Sequence, residues 1–318
     1  MATVIAEFCQ NHNGDKELLK DMIAAAAEAG ADYAKIQTIF ADDLTYRQRF
    51  ETGLEENGVV KAIRRPYQPE YERLAKLEVP LEWYGWFGEA CRAAGIQPLT
   101  TIFSRIRVPQ VAKFGWSAVK VASYDCASYP LLRELKASFE HLFVSTGATF
   151  DEEIEQAAQV LAGAPFSFLH CVTIYPTPLN EVNLARMVYL KQFTPSVGVS
   201  DHTLVAQDGI KASAVALHLG ADVVERHFTL LPADQSKDGP VSINFDQLKT
   251  LCDLAHGTVE ERAAYIAEHV GDYDDMIGQA HRKLSHAELL NRDYYRGRFA
   301  SHRPDGSVVY NWEDIPLN

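Results

Sequence analysis

Glu225 and His227 stand two apart in the apolar run Asp222–His227. On an extended strand both side chains therefore point the same way. His202 follows the run before it, Ser196–Ser200. Two imidazoles at neighbouring strand ends suit a divalent transition metal such as Mn, Fe or Zn. Two protein ligands leave positions open for substrate and water, as Lewis-acid catalysis requires. Asp201 and Glu225 could orient or extend such a ligand set. The plainer alternative is that each histidine satisfies a buried hydrogen bond.

Lys35 and Lys120 fall inside two further apolar runs. A buried lysine is costly unless it meets an anion. Thr101, Ser123, Ser145 and Ser200 supply hydroxyls at the same level, so the set could form a pocket for phosphate plus carboxylate. Glu7 and Asp125 are candidate acid–base or hydroxyl-binding groups. Either carboxylate could instead pair with a lysine as plain structure. A lysine could also form a Schiff base with a carbonyl substrate. Tyr175, in Tyr175-Pro176-Thr177-Pro178, could pack on a sugar face or simply belong to a rigid turn.

The elements that must position these groups are short apolar runs: Thr3–Phe8, Tyr33–Gln37, Pro98–Ile102, Ala118–Ala122, Leu142–Ser145, Phe166–Cys171, Ser196–Ser200 and Asp222–His227. Strands buried on both faces are nearly all apolar, and here polar residues gather at one end of each run. Helical patterns fill the gaps, as in Asp15–Ala29 and Leu81–Ala94, with Gly30 and Gly95 as stops. Others are Arg105–Phe114, Tyr129–Ala137, Asp151–Ala162, Asn183–Gln192, Ala206–Leu219 and Asn244–His256. Strand and helix alternating in this way predict an α/β fold, a (β/α)8 TIM barrel with its active site at the C-terminal strand ends. The rival dinucleotide-binding open sheet wants GxGxxG after the first strand, where the chain reads Cys9-Gln10-Asn11-His12-Asn13-Gly14. The expected division is a barrel over 1–256 and a helical extension over 257–318 that makes packing or subunit contacts. Asp42–Glu78 reads as a long loop, a candidate lid over the mouth.

A net charge of −13 argues against nucleic acid or an anionic membrane as partner, and means that an anionic substrate must be held by local cations. The 5 cysteines are widely spaced with no CxxC, which fits a reduced, cytoplasmic protein. A strand-like run starts directly after Met1, leaving no room for a signal peptide, and no apolar stretch approaches the roughly 20 residues of a membrane span.

Eight segments in order carry a likeness: Ala6-Glu7 with Asn11-His12-Asn13-Gly14-Asp15; Gly30 through Thr38; Thr100-Thr101-Ile102-Phe103-Ser104; Val119-Lys120-Val121-Ala122-Ser123; Ser145-Thr146-Gly147; His170-Cys171 with Tyr175-Pro176-Thr177-Pro178; Ser200-Asp201-His202-Thr203; and Glu225-Arg226-His227-Phe228-Thr229. Together, over about residues 3 to 255, they resemble the sialic acid synthase family. Its members condense phosphoenolpyruvate with an N-acetylated aldose to give a nine-carbon 2-keto acid. The resemblance implies that His202 and His227 bind a divalent cation, usually Mn2+, with Mg2+ or Co2+ as alternatives. It implies that Lys35, Thr101, Lys120, Ser123, Ser145 and Ser200 hold phosphoenolpyruvate. Glu7, Gln37, Asp125, Tyr175 and Asp238 would face the amino sugar, with Glu225 beside the metal, and Glu7, Glu225 and Asp125 would be the catalytic carboxylates. A homodimer is the family expectation.

The chain departs from that pattern at Asp125, where a Glu is usual, at Tyr124, where a small residue is common, and at Thr173, where many members have Asn. The family usually ends in an antifreeze-like domain that gives an Arg to the sugar's N-acyl group. The tail here is too short for it, and Arg296 or Arg298 could substitute. A non-catalytic sugar- or phosphate-binding barrel and a Schiff-base aldolase on Lys120 or Lys35 stand as the alternatives.

Overall fold

The structure, a computed structural model, describes residues 1–317. Its centre is a closed barrel of eight parallel strands. In chain order they are β1 (Thr3–Cys9), β2 (Tyr33–Thr38), β3 (Gln97–Ile102), β4 (Ala118–Val121), β5 (His141–Ser145), β6 (Phe166–Cys171), β7 (Val197–Asp201) and β8 (Val223–His227). β8 closes onto β1, pairing Thr3 with Val223 and Glu7 with His227.

The interior is layered by the two-residue period of a strand. Ile5, Leu99, Ala118, Phe143, Leu169 and Val223 form a buried apolar cluster, with Tyr33 packed against it. Two residues further along the same strands come Glu7, Thr101, Lys120, Ser145, Cys171, Glu225 and Lys35. An apolar floor is thus overlaid by a polar layer at the C-terminal ends. The outward-facing residues, such as Val4, Ala34, Val119 and Val224, join the larger core between barrel and helices.

The helices start and stop where the chain supplies caps. Asp15 accepts from the amides of Glu17 and Leu18 at the head of Lys16–Glu28. Gly95 ends Glu82–Ala94 in the left-handed region, at φ 82°. Two expected helices are broken. Arg105–Phe114 becomes a 3-10 turn over Arg105–Arg107 followed by Val108–Ala112. Ala206–Leu219 divides into Val205–Asp208 and Lys211–His218 around Gly209, at φ 56°. The expected helix Asn183–Gln192 shortens to Arg186–Leu190.

The segment between β2 and the helix before β3 is not an unstructured loop. It holds a short antiparallel pair, Leu54–Glu56 with Val59–Ala62, and the helix Tyr67–Ala75. The tail carries helices Val259–His269, Asp274–Ile277 and His286–Tyr295 and a pair of strands, Ala300–His302 and Val308–Tyr310. These two parts clasp each other. Arg47 donates to the carbonyls of Tyr294 (2.6 Å), Arg296 (3.2 Å) and Asp293 (3.4 Å). Phe50 meets Tyr294 edge-on at 5.1 Å between ring centroids. Among the described residues, no helix is long and apolar enough to cross a membrane.

Candidate active site

A cavity of about 400 Å³ opens at the C-terminal mouth of the barrel. Its floor is the polar layer. Strand register sets Glu7 beside Lys35, Gln37 beside Thr101, Thr101 beside Lys120, and Glu225 beside Ser200. Lys35 contacts the Glu7 carboxylate, donates to Thr101 Oγ1 (3.0 Å) and lies 3.7 Å from Glu225. Lys120 donates to Ser145 Oγ (2.6 Å) and to the Val121 carbonyl (3.0 Å), and lies 3.9 Å from Glu225. Ser145 and Ser200 share a hydrogen bond of 3.0 Å. All of these side chains except the half-buried Gln37 are buried. Two ammonium groups thus face two carboxylates, and the floor is close to neutral as it stands.

Burial pushes the Lys35 ammonium down to about 7, against the pull of the Glu225 carboxylate. The Glu225 carboxyl is held below its usual range: burial acts against this, and Lys120 and then Lys35 outweigh it. Glu225 Oε2 is buried with no hydrogen-bond partner among the described residues, although both ammonium groups approach it.

His202 and His227 stand above this floor with ring centroids 5.2 Å apart. Burial, and next the His227 ring, holds His202 well below its ordinary range, and burial also lowers His227. Both rings are therefore neutral near pH 7, the form that offers a lone pair. His202 Nδ1 is 3.6 Å from Cys171 Sγ. His227 Nδ1 is buried without a partner among the described residues. An orphaned buried imidazole nitrogen beside a second neutral imidazole fits a bound divalent cation. The Tyr175 ring lies 4.2 Å from His202 and is 48% exposed, which presents a flat face to the opening.

The cavity gathers Glu7, Lys35, Gln37, Thr101, Lys120, Ser123, Ser145, Tyr175, Ser200, His202, Glu225, His227 and Asp238. Asp125 is the exception. Ser123–Asp125 form a 3-10 turn, which rotates Asp125 roughly 240° away from Ser123. Its Oδ1 accepts instead from Ser128 Oγ (2.8 Å) and from Asn311 Nδ2 (2.9 Å). Burial pushes its carboxyl up to about 6. Asp201 is also turned away from the histidines. It pairs with the buried Arg226 and accepts from Ser213 (2.6 Å) and the Thr203 amide (2.9 Å). His170, at the end of β6, donates to the Val182 carbonyl (2.7 Å) on the outer side of the strand.

Several wall residues were not singled out in the sequence. Cys9 lies two beyond Glu7, past a register shift in the β1–β2 pairing and at φ 47°, so the strand period alone does not place it. Arg73 comes from the helix Tyr67–Ala75, and Lys237 precedes Asp238 in the loop after β8. Arg65 and Arg298 reach the mouth, while Arg296 points to Glu153 (3.4 Å). Arg73 and Arg298 both grip Glu70, so the mouth is a cationic rim around one carboxylate.

A model of the NeuB family matches residues 22–264. A pseudaminic acid synthase of Campylobacter jejuni is 30% identical over 316 residues, which cover 98% of this chain and 85% of that protein. An N,N'-diacetyllegionaminic acid synthase of the same species is 35% identical over 266 residues, 78% of this chain and 74% of the relative. Among solved structures, the N-acetylneuraminic acid synthetase of Leptospira borgpetersenii superposes with a TM-score of 0.69 at 25% identity, over 92% of this chain and 90% of that one. The chain thus belongs to the NeuB family of sialic acid synthases and is a synthase-like enzyme.

Proposed function

We propose that the protein condenses phosphoenolpyruvate with an N-acylated aldose, giving a nine-carbon 2-keto sugar acid and phosphate. The observation that carries this reading is the paired Lys35 and Lys120 ammonium groups, buried among the hydroxyls of Thr101, Ser145 and Ser200 beneath two neutral histidines. Phosphoenolpyruvate is a small polyanion, and a buried site for it needs cations and hydroxyl donors. The floor's own charges nearly cancel, so a divalent cation on His202 and His227 would supply the missing positive charge. When bound there, Mn2+, or Mg2+ or Co2+ in its place, would polarise the acceptor's aldehyde.

The residues then divide the work. Lys35, Thr101, Lys120, Ser123, Ser145 and Ser200 hold the phosphate and carboxylate. Tyr175, Gln37 and Asp238 align the sugar so that its C1 faces the enol C3. The C3–C1 bond forms as the aldehyde C=O opens to an alkoxide, water adds at C2 and gives up a proton that replaces the one the alkoxide takes, and the C2–O bond to phosphate breaks as the C2 carbonyl forms. Glu225 Oε2 is the open acceptor for the proton that the added water gives up. Glu7 keeps Lys35 in place. The acceptors leading to sialic, pseudaminic and legionaminic acids are the candidate substrates, read by the Arg65, Arg73 and Arg298 rim.

The test is phosphate release from phosphoenolpyruvate over a panel of N-acylated aldoses, with Mn2+ and with chelator. Sugar-dependent release that chelator stops is expected, and His202→Ala should lower turnover at least about 100-fold while abolishing metal binding. Folded protein that binds ligands but releases no phosphate with any sugar would replace this reading with a binding role. A Schiff-base aldolase is the second reading, favoured by one observation: a Lys35 pushed down to about 7 is partly neutral at physiological pH. Borohydride with a keto acid would then trap a covalent adduct on Lys35, and an unmodified mass rejects it.

A further inference from the structure

We propose that Cys9 and Asp238 complete the metal site, so that the cation is held by Cys9 Sγ, His202, His227 and an Asp238 carboxylate oxygen. The inference rests on the metal reading above and extends it from two ligands to four. Cys9 Sγ, a ring nitrogen of His227 and an Asp238 oxygen all lie within 4.8 Å of one another. Tetrahedral ligands at the usual 2.0–2.3 Å from a cation stand roughly 3.3–3.8 Å apart, so contraction by roughly 1.0–1.5 Å brings these three to bonding range, while His202 stands outside the group and must close on it from across β8. His227 is 6% exposed, and its Nδ1 has no hydrogen-bond partner among the described residues. Cys9 is also 6% exposed, and its thiol already donates to Asp238 Oδ2 at 2.8 Å.

The topology explains why these groups meet. β1 and β8 are neighbours at the barrel's closure, and Glu7 pairs with His227. Cys9 ends β1 two residues further toward the mouth, past a register shift after Glu7 and at φ 47°, which leaves its thiol against Asp238. Asp238 comes back over the same strand ends at the 3-10 turn Gly239–Val241. His202, on the other flank of β8, faces His227 at 5.2 Å between ring centroids.

The chemistry of that set differs from that of a histidine pair. Binding replaces the S–H bond with an S–metal bond and releases one proton, with no change of oxidation state. A thiolate with two imidazoles and one carboxylate favours Fe2+, Co2+ or Zn2+ over Mg2+ and Mn2+. The protein should therefore retain a borderline transition metal when Mg2+ and Mn2+ are in excess.

Co2+ titrated into the metal-free, full-length protein tests this by absorption. A thiolate-to-cobalt charge-transfer band should grow in the near ultraviolet and saturate at one equivalent. Cys9→Ser should lose the band yet keep weaker binding visible in the d–d bands. Asp238→Asn should lower Co2+ affinity by at least about 10-fold. Cys171→Ser is the control, because Cys171 Sγ also lies near a histidine, 3.6 Å from His202 Nδ1, and it should keep the band. A band that survives in Cys9→Ser and vanishes in Cys171→Ser overturns the proposal. So does saturable Co2+ binding by the native protein with d–d bands alone, which leaves the two-histidine reading standing. Failure to bind Co2+, Mn2+ or Zn2+ at all overturns both.

Discussion

Lys35 is the residue on which the anion pocket turns. It is buried against Glu7 and Thr101, and burial has brought its proton affinity down to about 7. Bound phosphoenolpyruvate favours the charged form, so binding above pH 7 must be accompanied by proton uptake. The dissociation constant for phosphoenolpyruvate should then climb from pH 7 to pH 9, approaching about 10-fold per unit. Lys35→Arg keeps its charge throughout that range, so its profile should be flatter even if binding is weaker. Isothermal titration at several pH values checks this, and a flat profile for the native protein would refute it. Residue chemistry was legible in the sequence where strand parity alone aims the side chain: Lys35, Lys120, Glu225 and His227 are fixed by period 2. Asp125 was not legible, because it sits past the strand end in a 3-10 turn whose rotation no alternation rule supplies. Cys9 was not legible either, because the register shift after Glu7 and the left-handed backbone at Cys9 break the alternation there.

At the scale of the element, each strand does two jobs along its length. Its first half plugs the barrel, and its second half furnishes the site. β7 contributes Gly198 at the plug, where its neighbours β6 and β8 carry Leu169 and Val223. A Cβ on Gly198 would lie 1.8 Å from the Val223 carbonyl oxygen and 2.6 Å from its carbon. Both are backbone atoms in the adjacent strand, so no side chain can swing aside. Gly198→Ala should cost about 3 kcal/mol and lower the thermal midpoint by roughly 6 °C or more. A melt unchanged from the native protein would show that β7 and β8 can part enough to admit the methyl group. The strands could be read from the sequence because apolar runs of this length between helical patterns admit few other folds. The helix boundaries could not, wherever a 3-10 turn or a left-handed glycine intervenes. Gly209 broke a continuous apolar pattern because backbone conformation, not hydrophobicity, ended the first turn.

The molecule as a whole carries a net charge of −13, and the proposed reaction requires it to admit an anion. It does so by concentrating cations at one mouth, drawn from remote parts of the chain: Arg65 and Arg73 before β3, Lys237 after β8, and Arg298 in the tail. The clasp between the 39–78 segment and the tail keeps these together. Arg47 is its pin, with hydrogen bonds to carbonyls of the tail and its guanidinium 4.4 Å from the Phe50 ring. Arg47→Ala should destabilise the fold by about 2–3 kcal/mol. If, as proposed, the sugar meets the rim and phosphoenolpyruvate the floor, it should raise KM for the acceptor sugar more than KM for phosphoenolpyruvate. Equal rises in both, measured by initial rates, would refute that division. This pairing was not readable from either segment alone, since the aromatic and arginine clusters only acquire meaning once they face each other.

Tyr295 and Arg298 reach the cavity from the same polypeptide that forms its floor. Covalent connection holds their local concentration constant, whatever the amount of protein in solution. Specific activity should therefore stay level through serial dilution into the nanomolar range, and a progressive loss would reveal that a second copy finishes the wall.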